Sequence, residues 1–190
     1  MNDDLYLEQL LVGPMDNFIY LIGSKSTREV ALIDPAWDID ALLNHIKEKD
    51  LKLASVLVTH YHPDHIGGGM GGHSIEGIAE LLEKDPVKIF VHKLEAEGVK
   101  KVTGVSDIDL NIVESGDHLT IGENDIEFLH TPGHTPGHQS VLVNLPKTGH
   151  MLFTGDACYT GDHWCDKCLP GLVHSASDAA DSVKKLRKIA

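Results

Sequence analysis

The chain has 190 residues, of which 42% are hydrophobic and 24% are charged, and this length and composition suit a globular domain with its own core. A formal net charge of −13 argues against a surface for nucleic acid or anionic membranes, because both need clustered lysine and arginine. The acidic N-terminus is unlike a secretory signal and no apolar run suits a membrane span, so we expect one cytoplasmic domain over residues 1–190, with its oligomeric state left open.

The first half of the chain is predicted to alternate strands with helices. Apolar runs bounded by turn residues indicate strands at Leu5–Val12 and at residues 17–23, 29–34, 54–59 and 87–92. The first three should form an antiparallel meander that ends at Asp34-Pro35. Helical spacing of apolar residues predicts helices over residues 38–49 and 75–84, the second capped by Ser74, and a short helix over residues 94–99.

The second half is predicted to contain a further set of short strands. They cover residues 117–121, 126–130, 140–145 and 150–153. Residues 102–110 are assigned to a loop, and residues 161–172 show no clear periodicity. A helix over residues 177–190 has acidic residues first and basic residues last, which matches the helix dipole. The pattern indicates the α/β class.

The segment THYHPDHIGGG, residues 59–69, contains four side chains able to bind metal within a span of six residues: His60, His62, Asp64 and His65. In an extended loop, residues two apart point the same way, so His60 and His62 can approach one ion together. Asp64 and His65 follow Pro63 and could face a second ion. Three imidazoles and a carboxylate suit zinc and tolerate iron or manganese.

Two later segments repeat this arrangement of a strand followed by a ligand type. The sequence HTPGHTPGH, residues 130–138, fixes tight turns that could hold His134 still, and FTGD places Asp156 at the end of an apolar strand. A lone aspartate at a strand end is more often a turn cap than a ligand. Beside residues 59–69, however, both segments become candidates for the same metal site.

These three motifs, in this order, resemble those of the metallo-β-lactamase superfamily over nearly the whole chain. The resemblance implies an αβ/βα sandwich, in which two mixed sheets lie face to face with helices outside. It also implies that His60, His62 and His134 hold one metal, that Asp64 and His65 belong to a second, and that Asp156 bridges them. One or two zinc ions per chain are therefore expected, with iron or manganese as alternatives.

The resemblance further implies a hydrolase. A water held by two divalent cations would lose a proton near neutral pH and attack the carbonyl of a small-molecule ester, thioester or lactone. The N-terminal half is similar to glyoxalase II-like thioesterases, and TPGHTPGHQSVLV with DACYT is similar to N-acyl-homoserine lactone lactonases. In those lactonases a tyrosine three residues after the bridging aspartate reaches the substrate, so Tyr159 joins Asp64 as a catalytic candidate; alternatively, Tyr159 is a packing aromatic.

The match departs from the superfamily at its end. Members with two metals usually supply another histidine after the last helix, whereas this sequence stops at Ala190. We expect either that the chain is truncated, which we favour, or that His163 or His174 completes the second site. On either view the first metal should bind tightly and the second should be substoichiometric.

Several alternatives stay open. A mononuclear iron dioxygenase acting on persulfides would need fewer ligands, and a sensor or an oxygen-binding diiron module would need no hydrolysis.

Cys165 and Cys168 form a CxxC pair that we expect to be solvated thiols. His138 is a candidate to orient a metal ligand. The glycines of residues 67–72 are expected to let the backbone pass close to the cleft.

Overall fold

The computed structural model describes residues 4–145, 149–158 and 174–189. The predictions for Tyr159, His163, Cys165 and Cys168 lie outside these residues. The strands and α-helices are, in chain order, β1 (Leu5–Val12), β2 (Asn17–Ser24), β3 (Glu29–Ile33), α1 (Ile39–Glu48), β4 (Lys52–Leu57), α2 (Pro63–Ile66), β5 (Gly68–Met70), β6 (His73–Ile75), α3 (Ile78–Lys84), β7 (Lys88–His92), α4 (Ala96–Thr103), β8 (Leu110–Val113), β9 (His118–Ile121), β10 (Asn124–His130), β11 (Gln139–Leu145), β12 (Gly149–Phe153) and α5 (Ala176–Leu186).

The larger sheet has the strand order β1-β2-β3-β4-β7-β8. Its first three strands form the predicted antiparallel meander, and β3, β4, β7 and β8 run parallel. The parallel pairs need crossover connections, which helices α1, α3 and α4 provide. This sheet is therefore mixed, as expected.

The smaller sheet has the order β12-β11-β10-β9 and pairs antiparallel throughout its described strands. The sandwich is confirmed, and the described strands of this sheet are all antiparallel, whereas a mixed sheet was expected. Its consecutive strands are neighbours joined without helical crossovers, and such connections give antiparallel pairs. A separate two-stranded ribbon, β5-β6, follows the segment that carries His60 to His65.

The apolar core has an inner layer between the two sheets and outer layers beneath the helices. On β4, Leu57 faces the other sheet, where it joins Phe128 and Val141, whereas Val56 faces α1 and α3. Leu186 of α5 covers the outer face of the smaller sheet. Successive side chains of a central strand thus pack in two different apolar layers, which explains why these strands are apolar on both faces.

Two predicted elements differ in the structure. The helix expected over residues 75–84 begins at Ile78 with Gly77 as its N-cap, and Ser74 lies in β6, because Ile75 pairs with Gly68 in the ribbon. Residues 102–110, expected to be a loop, contain the end of α4 and a 3-10 turn and lead into β8. Strand β8 lies at the sheet edge and exposes Ile112, so its apolar periodicity is weak.

No helix in the described part of the chain is long and apolar enough to cross a membrane.

Candidate metal centre

Three loops meet at one edge of the sandwich, after β4, β10 and β12. The first is tied to the smaller sheet by Gln139, whose backbone N–H donates to the carbonyl of Thr59 (2.9 Å) and whose side-chain amide donates to the carbonyl of Val58 (2.7 Å). The loop after β4 continues into α2, whose first residue is Pro63. Asp64 and His65 therefore lie on a short helix, while His60 and His62 precede it.

His60, His62 and His134 converge through three ring nitrogens. The separations are 3.1 Å from His60 Nε2 to His62 Nδ1, 3.2 Å from His60 Nε2 to His134 Nε2 and 2.9 Å from His62 Nδ1 to His134 Nε2. A tetrahedral ion with metal–nitrogen bonds of about 2.0–2.1 Å places neighbouring nitrogens about 3.3 Å apart. The donor type and spacing therefore fit one zinc-sized ion.

Hydrogen bonding fixes which nitrogen His60 presents to this triangle. The Thr59 hydroxyl donates to Asp34 Oδ2, so it accepts from His60 Nδ1 at 3.0 Å. The lone pair is then on Nε2, which faces His62 and His134. Burial holds the pKa of His60 well below its usual value, and burial also lowers the pKa values of His62 and His134. The three rings are thus neutral near pH 7, the state that binds a metal.

A second donor cluster adjoins the triangle. His65 Nε2 lies 3.4 Å from Asp64 Oδ2 and 3.4 Å from Asp156 Oδ1. The other oxygen of Asp156, Oδ2, lies 3.3 Å from His134 Nε2. The two oxygens of this one carboxylate therefore face different clusters.

Asp34 is a functional candidate that the sequence analysis passed over. It accepts hydrogen bonds from the Thr59 N–H (2.7 Å), the Thr59 hydroxyl (2.5 Å) and His65 Nδ1 (3.1 Å). Burial would lower the pKa of His65, but the hydrogen bond and charge of Asp34, together with Asp156 and Asp64, raise it to about 9. The signal was available, because Asp34 follows an apolar strand as Asp156 does.

Asp34 also lies near His60 and His65 at a spacing that could hold an ion. Its oxygens, however, already accept from Thr59 and His65, and His60 turns Nε2 away toward the triangle. The group is therefore better explained as a hydrogen-bonded support for the ligands than as a separate metal site.

Two further residues, Asn17 and Trp37, hold Asp64. The backbone carbonyl of Asp64 accepts from Asn17 Nδ2 (3.1 Å) and from Trp37 Nε1 (3.0 Å), and Asn17 Nδ2 also lies 3.1 Å from Asp64 Oδ2. Neither was predicted from the sequence, because Asn17 reads as the start of a strand and Trp37 is distant from the motif.

A cavity of about 360 Å³ opens beside the second cluster. Its apolar wall comes mainly from the β1–β2 hairpin and from β12, and four aspartates line it beside His65. The lining residues are Met15, Asp16, Asn17, Phe18, Tyr20, Ile33, Asp34, Asp64, His65, Leu152, Phe153, Thr154, Gly155, Asp156 and Cys158. The cavity is therefore apolar on one side and carries the second donor cluster on the other.

Two other histidines, His138 and His174, were also considered for the site. His138 is buried and pairs through Nδ1 with the Thr131 hydroxyl at 2.9 Å, and its Nε2 has no hydrogen-bond partner within the described ranges. It therefore does not donate to a ligand ring. His174 has an exposed side chain, and its backbone N–H donates to the carbonyl of His134 at 3.1 Å.

The sequence and the fold were compared with those of known proteins. Residues 12–190 match the metallo-beta-lactamase superfamily. The cytoplasmic hydroxyacylglutathione hydrolase of Arabidopsis thaliana is 36% identical over 159 residues, which is 82% of this chain and 54% of that protein. The N-acyl homoserine lactonase AttM of Azorhizobium caulinodans is 51% identical over 69 residues, 36% of this chain and 26% of its own length.

A solved metallo-beta-lactamase from Staphylococcus aureus shares the fold with a TM-score of 0.74 at 24% identity, covering 100% of this chain and 54% of that one. The chain spans about half the length of the hydrolase from Arabidopsis thaliana. Similarity to the Staphylococcus aureus structure thus extends over the whole chain, which covers about half of that protein.

Proposed function

Since the chain belongs to the metallo-beta-lactamase superfamily, we propose that it is a metal-dependent hydrolase that cleaves an ester, thioester or lactone. The observation that carries this proposal is the triangle of three neutral imidazoles with Asp156 beside it. The superfamily binds divalent metals, and both curated relatives described above are hydrolases by name.

We assign His60, His62 and His134 to one metal and Asp64 and His65 to a second, with Asp156 between them. Zinc fits the imidazole-rich donor set, and iron or manganese could take its place. A bound divalent ion supplies a Lewis acid and lowers the pKa of coordinated water toward neutrality. The neighbouring position of the two clusters supports this assignment.

The protein's own groups prepare the site for that chemistry. Thr59 and Asp34 orient the rings of His60 and His65, so that each presents Nε2 to a donor cluster. Asn17 and Trp37 hold Asp64 in place, and its carboxylate, which lines the cavity, is our candidate to accept a proton there. The role of Tyr159 stays a prediction, because it lies outside the described residues.

We further propose that the preferred substrate carries an uncharged, apolar acyl group. Met15, Phe18 and Phe153 offer apolar surface next to the donor clusters, and the described lining contains acidic side chains but neither lysine nor arginine. Glutathione carries carboxylates, and the described lining offers no lysine or arginine to pair with them. A lactone or a neutral ester fits the cavity better.

The test is hydrolysis by zinc-loaded protein of an N-acyl-homoserine lactone and of a glutathione thioester with the same acyl chain. We expect the lactone to be cleaved with the higher kcat/KM. His62→Ala should abolish turnover, whereas His118→Ala, which changes an exposed histidine of β9, should keep it. Equal rates for wild type and His62→Ala on all substrates would refute the hydrolase.

The alternative, a mononuclear iron dioxygenase for persulfides, is tested with the same preparation. Both donor clusters contain intact residues, which favours hydrolysis over a reaction that needs one metal. Oxygen consumption by the iron-loaded protein with glutathione persulfide, without hydrolysis of any ester, would instead support the dioxygenase.

A further inference from the structure

A buried carboxylate, that of Glu95, lies between two of the metal-binding loops. Glu95 directly precedes α4 and has no exposed surface. Within the described residues it forms no ion pair, and burial raises the pKa of its carboxyl group. A buried acid without a cationic partner is costly to keep, so its position calls for an explanation.

Backbone N–H groups of the two loops donate hydrogen bonds to Glu95. Oε2 accepts from the N–H of Tyr61 at 2.9 Å, and Tyr61 stands between His60 and His62. Oε1 accepts from the N–H of Gly137 at 2.6 Å, three residues after His134. One carboxylate therefore links the loop of the larger sheet to that of the smaller sheet.

The packing around this carboxylate leaves little freedom. A Cβ on Gly137 would lie 2.8 Å from both the backbone nitrogen and Oε1 of Glu95. A Cβ on Gly98, one turn further along α4, would lie 2.6 Å from the ring of Tyr61. The start of α4 is thus in direct contact with both loops.

We propose that Glu95 is a positioning residue that keeps the two loops at the separation required for His60, His62 and His134 to share one ion. This inference rests on the metal site proposed above. The N–H groups of Tyr61 and Gly137 bond to two different oxygens of Glu95, and Ser, Thr, Asn and Gln each supply only one side-chain oxygen. A carboxylate provides both acceptors, and hydrogen bonds to a charged group are the stronger kind.

The informative variant is Glu95→Gln, which keeps size but replaces one acceptor with an NH₂ donor. One backbone N–H, of Tyr61 or of Gly137, would then face another donor and the loops would shift apart. Glu97→Gln is the matched control, because Glu97 is two residues further along in α4 and its side chain is 87% exposed.

Zinc affinity, measured by competition with a chelator, should fall about 10- to 100-fold in Glu95→Gln and stay unchanged in Glu97→Gln. The visible spectrum of the cobalt-substituted protein should change in the same variant, reporting altered ligand geometry. In metal-free protein, the amides of Tyr61 and Gly137 should exchange hydrogen faster in Glu95→Gln.

A role in general stability alone is separated by Val183→Ala, which opens a cavity under α5. This variant should lower Tm while keeping zinc affinity; an equal loss of affinity in both variants would overturn the inference. Wild-type zinc affinity and amide exchange in Glu95→Gln would overturn it too. A protein that binds zinc in this Glu95-dependent way but cleaves no substrate would refute only the proposed hydrolase.

Discussion

A single carboxylate, that of Asp34, orients histidines in both donor clusters. It accepts directly from His65, and it accepts from the Thr59 hydroxyl that in turn accepts from His60. Its backbone adopts a left-handed conformation, with φ of 53°, which is uncommon for a residue other than glycine. Such geometry at a site is often maintained for function.

We expect Asp34→Asn to weaken metal binding about 10- to 100-fold, because the amide turns a donor toward Thr59 or His65 and removes the negative charge. Isothermal titration with zinc measures the change. Asp40→Asn is the control, since Asp40 is an exposed acid paired with Lys84. Unchanged zinc affinity in Asp34→Asn would show that neither histidine depends on this carboxylate.

His92 is expected to make the stability of the fold depend on pH. It stacks on His130 with ring centroids 4.2 Å apart, and burial and the neighbouring ring lower its pKa to about 4. In the unfolded chain His92 binds a proton near pH 6.5. The contribution of neutral His92 to the free energy of unfolding is therefore complete above that pH and is lost as the pH falls toward 4.

Urea unfolding of chelated protein at pH 7.5 and pH 5 tests this. His92→Phe keeps an aromatic ring and should lose less stability on acidification than wild type. His118→Phe should show the opposite sign, because the hydrogen bond to Asp125 raises the pKa of His118. Equal pH dependence of wild type and His92→Phe would exclude His92 as the source.

At the level of elements, the glycine run after the metal-binding loop has two distinct parts. Gly67 and Gly77 are in backbone contact: a Cβ on Gly77 would lie 1.9 Å from the carbonyl oxygen of Ile66. Gly69, in contrast, has open space around its Cα. The close approach seen at the start of the run is to the N-cap of α3, where α2 ends, and the expected approach to the cleft stays a prediction.

We predict that Gly77→Ala destabilises the protein by about 1–3 kcal/mol, since the methyl group cannot be placed without moving backbone. Gly69→Ala should change stability by less than about 0.5 kcal/mol. Urea unfolding followed by circular dichroism compares the two. If both variants are equally stable, the contact of Gly77 with Ile66 and Gly67 is looser than the structure indicates.

The elements that sequence patterns predicted share a clear periodicity or turn residues. The meander, α1, β4 and the strands of the smaller sheet are confirmed, because alternation and helical spacing directly reflect burial. The sequence did not predict the start of α3 or strand β8. Ile75 pairs with Gly68 in the two-stranded ribbon instead of starting the helix, and β8 is an edge strand with an exposed isoleucine. Both depend on tertiary contacts, which local propensity does not encode.

The candidate site shows the same division. Ligand-type residues next to apolar strands were identifiable, and the structure brings His60, His62 and His134 together. The residues that hold them, Asp34 and Glu95, were missed, because their partners lie 25 to 42 residues away in the chain. The single domain and the cytoplasmic location stay predictions.

For the whole molecule, the three-histidine group joins the two sheets at one edge of the sandwich. His60 and His62 follow β4 of the larger sheet, and His134 follows β10 of the smaller one. The apolar layer between the sheets is independent of these side chains, so the metal-free protein should fold. An ion that binds only the folded state adds stability in proportion to its affinity and concentration.

We therefore predict that chelation lowers Tm without unfolding the protein at 25 °C, and that adding zinc restores Tm. The increase should grow with the logarithm of the free zinc concentration once the site is saturated, because the stabilising free energy follows RT ln(1 + [L]/Kd). His134→Ala removes the ligand that follows the smaller sheet, so the Tm of this variant should respond weakly to zinc. Differential scanning fluorimetry measures both proteins in the same metal series, and an equal zinc response in the variant would show that the ion is held by one sheet alone.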